Sequence, residues 1–246
     1  MAEKIIQYSF KRYEKKYFLT PAQYEVFTEK IHPYMCRDEY GLTEICNIYY
    51  DTDDWRLIRA SIEKPVYKEK LRGRSYGTPG DNDRVFVELK KKYADVVYKR
   101  RVSVSAGQAP GFLRSEETPD GLGQIGKEIE WFRDFWGVNA KVFIGYTRIA
   151  WKGTEDPELR ITFDTGLRWR ETDLDLRAGD KGYPLLDTDR ILMEIKIPGT
   201  CPLWLSRLLS DMEIFGTSFS KYGTYYQKYV LNKNGIYTGK EALFSA

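Results

Sequence analysis

Residues 66–74 alternate between two kinds of side chain, a period that only a β-strand uses. The cations in this stretch are Lys68, Lys70, Arg72 and Arg74, each two residues from the next. Successive side chains of a strand point to opposite faces, so these four share one face. The pattern predicts either a surface that binds a polyanion or an edge strand whose lysines keep it in solvent.

The same alternation occurs in several other segments, where acids accompany the cations. The charged or polar same-face sets are Arg12, Glu14 and Lys16; Glu88 and Lys90; Arg160, Thr162 and Asp164; and Glu194 and Lys196. The opposite positions are mostly apolar, which predicts a sheet with one face covered by helices. An open sheet with a solvated polar face would explain this pattern without any function. The excess of cations, with acids two residues away, instead favours a closed β-tunnel with a polar, ion-binding lumen.

The order of predicted elements indicates an α+β fold, because strands and helices do not alternate regularly. Predicted strands cover residues 10–18, 44–51, 66–74, 84–93, 96–102, 141–151, 160–169 and 190–197. Predicted helices cover residues 22–31, behind an N-cap at Thr20, a short segment ending at 62 and capped by Asp53 or Asp54, 122–136, and 202–215. We expect one domain over residues 1–246, with a core at about 8–225 and a tail at 226–246.

Composition excludes several functional classes. The 39 Lys and Arg residues nearly balance the 36 Asp and Glu residues, so bulk charge gives little attraction to nucleic acid or acidic membranes. Most aromatic residues fall on apolar faces, which argues against binding of single-stranded nucleic acid. His32 is the only histidine, so any catalysis must use carboxylates, cations and a metal. No apolar run reaches the roughly 18 residues of a transmembrane segment, and no signal peptide is evident, so we expect a cytoplasmic protein.

Eight ordered segments carry a family resemblance. They are residues 12–17, Tyr49-Tyr50-Asp51-Thr52, Lys70-x-Arg72-x-Arg74, Glu88-Leu89-Lys90, Tyr146-x-Arg148, Arg160-x-Thr162-x-Asp164, Glu194-Ile195-Lys196 and Ser220-Lys221-Tyr222. Together they resemble VTC-type polyphosphate polymerase domains of the triphosphate tunnel metalloenzyme (CYTH-like) superfamily. The resemblance covers about residues 8–225, and its weight lies in the ordered set, since each short motif alone is unspecific.

The resemblance implies an antiparallel β-tunnel, closed or nearly closed, with a cationic lumen and helices on the outside. It also implies transfer of the γ-phosphoryl group of ATP to a growing inorganic polyphosphate chain, with Mn²⁺ or Mg²⁺. The implied partners are ATP and polyphosphate or pyrophosphate, and a separate membrane protein that receives the product is a further candidate. The chain length fits a stand-alone domain of bacterial type.

Site residues follow from the resemblance by motif position. The implied catalytic residues are Lys16, Arg72, Arg74, Arg148 and Glu194. The implied phosphate-binding residues are Arg12, Lys70, Lys90, Arg100, Arg160, Lys196 and Lys221. The implied metal ligand is Glu194, with Glu14 and Glu88 either assisting the metal or holding neighbouring cations. Only one face of the run Lys99, Arg100 and Arg101 can belong to this site.

Two alternatives to the polymerase stay open. One is a tunnel triphosphatase, although such enzymes start with E-x-E-x-K and this chain has Arg12 where the first acid is expected. The other is a module that binds polyphosphate without extending it. Polymerases often have another lysine shortly before the position of Lys221, and residues 216–220 contain none, so one phosphate contact would be missing.

Overall fold

The structure is a computed structural model that describes residues 13–94, 96–186 and 189–232. Its strands are β1 (Tyr13–Leu19), β2 (Met35–Asp51), β3 (Tyr67–Tyr76), β4 (Arg84–Tyr93), β5 (Val96–Ser105), β6 (Asn139–Gly153), β7 (Arg160–Arg170), β8 (Tyr183–Pro184), β9 (Ile191–Ile197) and β10 (Gly216–Thr217). Its helices are α1 (Pro21–Ile31), α2 (Arg56–Ile62), α3 (Gln108–Leu113), α4 (Gly123–Trp136), α5 (Leu203–Asp211) and α6 (Lys221–Tyr225), with a 3₁₀ turn at Leu176–Ala178 and a π-helix at Tyr226–Leu231. In this part of the chain, no helix is long and apolar enough to cross a membrane.

The described residues divide into two compact units. Unit 1 contains Cys46–Phe143 and Glu171–Asp180, and unit 2 contains Tyr13–Ile45, Ile144–Arg170 and the described residues from Lys181 onward. Strands β2 and β6 contribute residues to both units. That the whole chain acts as one domain stays a prediction.

In unit 1 the strand order is β6–β2–β3–β4–β5, and the pairs β3–β4 and β4–β5 are antiparallel. One face of this sheet is apolar and includes Leu71, Val87 and Leu89. Phe112 of α3 and Phe132 of α4 belong to the same buried cluster, so these helices cover that face. Burial of apolar area is the main contribution to the stability of such a layer.

In unit 2 the strand order is β10–β1–β9–β7–β6–β2, with β8 beside β7, and β9 is antiparallel to both β1 and β7. The buried side includes Phe163 and Ile195, together with Phe27 of α1 and Leu205 of α5. The strand order over all described residues runs from β10 to β5. The predicted α+β fold, built on an antiparallel sheet with helices against its apolar face, is confirmed.

The sequence signals for helix ends were correct in one case and wrong in another. At α1, the Thr20 hydroxyl accepts from Gln23 N (3.1 Å) and the Gln23 amide oxygen accepts from Thr20 N (3.0 Å), as the N-cap prediction required. At α2, neither predicted aspartate caps the helix. The Asp51 carboxylate, at the end of β2, accepts from Leu57 N and Ile58 N, each at 2.9 Å. Asp51 is fully buried and therefore holds the helix to the strand.

Several boundaries differ from the predicted ones. Strand β2 begins at Met35, nine residues earlier than residue 44, and α5 ends at Asp211, before residue 215. Helix α3 and the helices after Ser220 were not predicted. The predicted first strand began at residue 10, and its residues 10–12, which include Arg12, lie outside the described residues.

Candidate functional site

One buried carboxylate organises the polar face of unit 1. Cross-strand register places Arg72 of β3 opposite Glu88 of β4, and Glu88 opposite Arg101 of β5. Directly opposed side chains in a sheet lie within about 5.5 Å at their Cβ atoms, so the three meet on one face. Arg74 and Lys99 occupy the same face, two residues along their strands. We call Glu88 with Arg72, Arg74, Lys99 and Arg101 the Glu88 cluster.

The contacts of the Glu88 cluster occupy both carboxylate oxygens. Arg72 donates to Oε2 through Nε (2.9 Å) and Nη2 (2.7 Å). Arg101 Nε donates to Oε1 at 2.6 Å, and Lys99 Nζ lies 2.7 Å from the same oxygen. Arg74 Nε lies 4.0 Å from Oε2 and donates to another side chain, the amide of Asn47 (2.8 Å).

Charge and burial in the Glu88 cluster favour anion binding. The Glu88 side chain is 1% exposed, whereas those of Arg72, Arg101 and Lys99 are 21%, 33% and 42% exposed. Burial alone would raise the pKa of Glu88, but the four cations outweigh it and hold that pKa well below its ordinary value. Four cations around one ionised acid leave three formal positive charges, and three of the cations reach solvent. Such an arrangement suits phosphate oxygens.

This geometry bears on two expectations for unit 1. Of the two roles expected for Glu88, the contacts match the second, since cations lie at both of its oxygens. Arg100 does not join the cluster, because it lies opposite Leu89 and so faces the helices, where its Nε is 3.3 Å from Glu128 of α4. The side chains of the 99–101 run that share a face with Glu88 are those of Lys99 and Arg101.

A second buried carboxylate organises the polar side of unit 2. Asp164 of β7 is fully buried and accepts from Arg148 through Nε (2.6 Å) and Nη2 (2.8 Å). Lys221, at the start of α6, donates to the same carboxylate at 2.6 Å. The Tyr146 ring lies under both cations, 5.2 Å from the Arg148 guanidinium carbon and 4.3 Å from Lys221 Nζ. We call these four residues the Asp164 cluster.

The Asp164 cluster changes the interpretation of Lys221. Burial would raise the pKa of Asp164, but Lys221 and Arg148 reverse that effect and keep it below its ordinary value. Both cations therefore neutralise an ionised, buried acid. The Lys221 side chain is only 11% exposed, so its main contact is with Asp164, and it fixes the start of α6 against β7. The phosphate contact expected of Lys221 stays a prediction.

Glu194 lies beside the Asp164 cluster on the same sheet. It faces Lys16 of β1 on one side and Thr162 of β7 on the other. Its Oε1 is 3.3 Å from Lys196 Nζ. Burial raises the pKa of Glu194, and Lys196, Lys16, Lys221 and Arg148 outweigh it, so the carboxylate is ionised with a pKa well below its ordinary value.

The remaining predicted residues of unit 2 lie near Glu194 in register. Lys196 is directly opposite Glu14 on β1 and Arg160 on β7, so all three share a face with Glu194. Lys16 donates to the backbone oxygen of Phe219 at 2.7 Å. The structure thus groups the predicted unit 2 residues on one face.

The carboxylates that the structure describes do not form a preformed metal centre. Among residues 13–94, 96–186 and 189–232, no three His, Cys, Asp or Glu side chains group closely enough to hold a metal ion. Glu194 lies diagonal to Glu14 across β1 and β9. Asp164 already accepts hydrogen bonds from two cations, Arg148 and Lys221. A hard divalent ion often takes one or two protein carboxylates and completes its shell with water and phosphate oxygens. Glu194 fits that kind of site, in which the substrate provides ligands.

Two residues that contact the Glu88 cluster were not assigned a role from the sequence. The Tyr49 hydroxyl accepts from Arg72 Nη1 (3.3 Å), and the Asn47 amide oxygen accepts from Arg74 Nε (2.8 Å). Both have the same parity on β2, opposite to the core residue Ile48. That parity was visible in the sequence. The contact between Asp164 and Lys221 was not visible in the sequence, because the two residues are 57 positions apart.

Comparison with known proteins places this geometry in a family. The family model described as VTC domain matches residues 11–230. Subunit 4 of the vacuolar transporter chaperone complex of Schizosaccharomyces pombe is 27% identical over 207 residues. That match covers 71% of this chain, but the chain spans only 28% of the length of the yeast protein.

A solved structure supports the fold alone. A candidate adenylate cyclase from Bacillus halodurans superposes with a TM-score of 0.55 at 15% identity. The match covers 91% of this chain and 99% of the other. Identity this low shows a shared fold and does not transfer an activity.

Proposed function

The chain belongs to the VTC domain family, and on that basis we propose that it synthesises inorganic polyphosphate by transferring the γ-phosphoryl group of ATP to the end of a phosphate chain. The observation that carries the proposal is the Glu88 cluster, in which one buried acid lies among four cations, three of which reach solvent and would meet phosphate oxygens. Membership of the VTC domain family supports the same class of substrate, ATP and phosphate chains.

The chemistry of phosphoryl transfer suits these residues. The attacking oxygen of a phosphate chain is already ionised, so no histidine is needed to remove a proton. Catalysis depends on alignment and on neutralising the charge of the transferred group. In unit 1, Arg72 and Arg101 would bind phosphate oxygens through their exposed N–H groups, while Glu88 fixes their orientation beforehand. Preorganised donors lose little freedom when substrate binds.

Unit 2 has a carboxylate that would hold a divalent metal ion. A divalent ion, when bound, would neutralise phosphate charge and orient the phosphates. Glu194 would hold it, and Glu14, which is diagonal to Glu194 in register, would assist. Lys16, Lys196 and Arg160 lie on the same face and would bind phosphate oxygens around it. Mn²⁺ and Mg²⁺ are the ions that this oxygen donor set favours.

The proposal extends to partners and location. The substrates would be ATP and polyphosphate or pyrophosphate in the cytoplasm. The yeast relative is a subunit of a complex, which supports a separate membrane protein as a partner that takes up the product. Nucleic acid is not a proposed ligand.

The test is product analysis by gel after incubation of the purified protein with ATP and Mn²⁺, with free orthophosphate measured in parallel. We expect long phosphate chains in the wild type. Glu194→Gln should abolish metal-dependent turnover while polyphosphate still binds. Release of orthophosphate alone would establish a triphosphatase, and absence of any product would leave a binding module. Full activity of Glu194→Gln would contradict the role given to Glu194.

A further inference from the structure

A buried hydroxyl without a hydrogen-bond partner lies beside the carboxylate that would hold the metal ion. Thr162 of β7 is directly opposite Glu194 of β9, and it is 5% exposed. Within residues 13–94, 96–186 and 189–232, the Thr162 Oγ1 atom is shielded from solvent and makes no hydrogen bond. The other side-chain atoms in that condition in these ranges are indole nitrogens of tryptophan. Thr162 therefore carries the buried hydroxyl that the fold of this part of the chain leaves unsatisfied.

A buried hydroxyl of this kind lowers the stability of a fold, because it gives up hydrogen bonds to water and gains none. Two other threonines avoid that cost. Thr147 of β6 donates to Glu44 at 2.6 Å. Thr52, which follows β2, donates to Asp54 at 2.6 Å. Valine has nearly the same shape as threonine, favours strands as well, and has no hydroxyl to satisfy. The hydroxyl at position 162 therefore points to a role outside the stability of the fold.

The position of Thr162 limits what its hydroxyl can reach. A substrate in the solvent does not contact Oγ1, because that atom is shielded. On the same strand and face, Asp164 already accepts hydrogen bonds from two cations. Glu194 is the carboxylate directly opposite, and the Cβ atoms of opposed residues lie about 4.5–5.5 Å apart. Glu194 is therefore the acceptor within reach of this hydroxyl.

We propose that Thr162 is a positioning residue for Glu194, whose carboxylate accepts a hydrogen bond from the Thr162 hydroxyl when a divalent ion is bound there. The inference rests on the proposed function for the metal site at Glu194. A carboxylate that binds a metal is commonly oriented by a hydrogen bond from a neighbouring group, and loss of that group lowers metal affinity about 10–100-fold. Glu194 pairs with Lys196 through Oε1. Since a carboxylate has about four lone-pair sites, a hydroxyl and a metal ion can share it.

The test measures the Mn²⁺ affinity of the purified protein by electron paramagnetic resonance, without ATP and therefore without turnover. The test variant is Thr162→Val, which removes the hydroxyl and keeps the shape, and Thr162→Ser restores a hydroxyl at the same position. The matched control is Thr165→Val, which makes the same change on the same strand at a position of opposite parity. We expect Thr162→Val to lower the Mn²⁺ affinity about tenfold, and Thr162→Ser and Thr165→Val to stay within about twofold of the wild type.

Two further measurements separate a positioning role from a structural one. In thermal denaturation without metal, Thr162→Val should be at least as stable as the wild type, since it removes a buried hydroxyl that has no partner. Added Mn²⁺ should raise the Tm of the wild type more than that of Thr162→Val. In a protein that already carries Glu194→Gln, Thr162→Val should cause no further loss of Mn²⁺ affinity, because the hydroxyl acts through Glu194.

An unchanged Mn²⁺ affinity in Thr162→Val, or a Tm below that of the wild type without metal, would overturn the inference. So would a wild type that binds no Mn²⁺, which would also count against the metal site of the proposed function. A selective loss of Mn²⁺ affinity in a protein that makes no chains from ATP would retain the role of Thr162 and refute the polymerase.

Discussion

Replacing Glu88 with glutamine tests whether a single carboxylate holds the cation cluster together. The substitution keeps the shape of the side chain and removes the charge that Arg72, Arg101 and Lys99 share. The amide cannot neutralise three cations, and its NH₂ group has no acceptor among them. We therefore expect a less stable protein whose stability depends on added anions.

The size of the expected loss of stability follows from the burial of Glu88. Removing one partner of a fully buried ion pair costs about 3–5 kcal/mol. Glu88 is 1% exposed, but its partners are 21–42% exposed in three of four cases, so water compensates part of the loss. We expect a decrease of about 2–3 kcal/mol in the free energy of unfolding. For a chain of 246 residues this corresponds to a Tm lower by roughly 4–12 °C.

Thermal and urea denaturation with and without tripolyphosphate would measure the effect. Tripolyphosphate should raise the Tm of Glu88→Gln more than that of the wild type, because it replaces the missing negative charge. Glu128→Gln is the matched control, since Glu128 also pairs with cations but is 26% exposed, and its loss should cost less than about 1 kcal/mol. A variant as stable as the wild type would refute the role of Glu88.

Acid denaturation gives an independent check on the same residue. The pKa of Glu88 is lowered from an ordinary value of 4.5, so its ionised form contributes stability that is fully present above that pH. This contribution is lost as the pH falls, because protonation in the unfolded chain occurs first. The free energy of unfolding, measured by urea denaturation, should therefore change less between about pH 3 and about pH 7 for Glu88→Gln than for the wild type. Identical pH profiles would contradict the assignment.

Three further predictions concern other parts of the chain. Asp164→Asn should lower the free energy of unfolding by about 3–5 kcal/mol in urea denaturation, since Arg148 and Lys221 would keep buried charges without an ionised partner; an unchanged stability would exclude the Asp164 cluster as a structural anchor. Burial lowers the pKa of Lys99 to about 8. The affinity for long-chain polyphosphate, measured by calorimetry, should therefore decrease as the pH rises from about 7 to about 9, and Lys99→Arg should remove that dependence. Thr20→Ala should cost about 1 kcal/mol in stability by removing the cap of α1, whereas no loss would show that the capping box is dispensable.

The fold could be predicted from the sequence because its strands alternate strictly. In β3 and β4, apolar residues such as Leu71 and Val87 occupy one parity and charges the other, so strand and face follow from period 2 alone. Helix α1 was predictable from Thr20 and Pro21, which are local signals. Helix α3 was not, since its six residues include Pro110 and Gly111 and it is held by packing.

The cations of the candidate site could be predicted from the sequence, but their arrangement could be predicted only in part. Arg100 was assigned to the wrong face, because a shift of one residue exchanges the faces and a run of three cations does not reveal the register. Glu88 was a candidate metal ligand, and only the positions of its neighbours show that cations occupy both oxygens. Arg148 is among the cations that lower the pKa of Glu194. The link between Asp164 and Lys221 depends on a long-range contact that no local pattern encodes.

The most direct test of the proposed polymerase follows the label from γ-³²P-ATP in the presence of Mn²⁺. We expect the label to appear in chains of increasing length, with one ADP formed for each phosphate added, and we expect Glu194→Gln to form neither. Label recovered only as orthophosphate, with the same amount of ADP, would contradict the account and identify water as the acceptor.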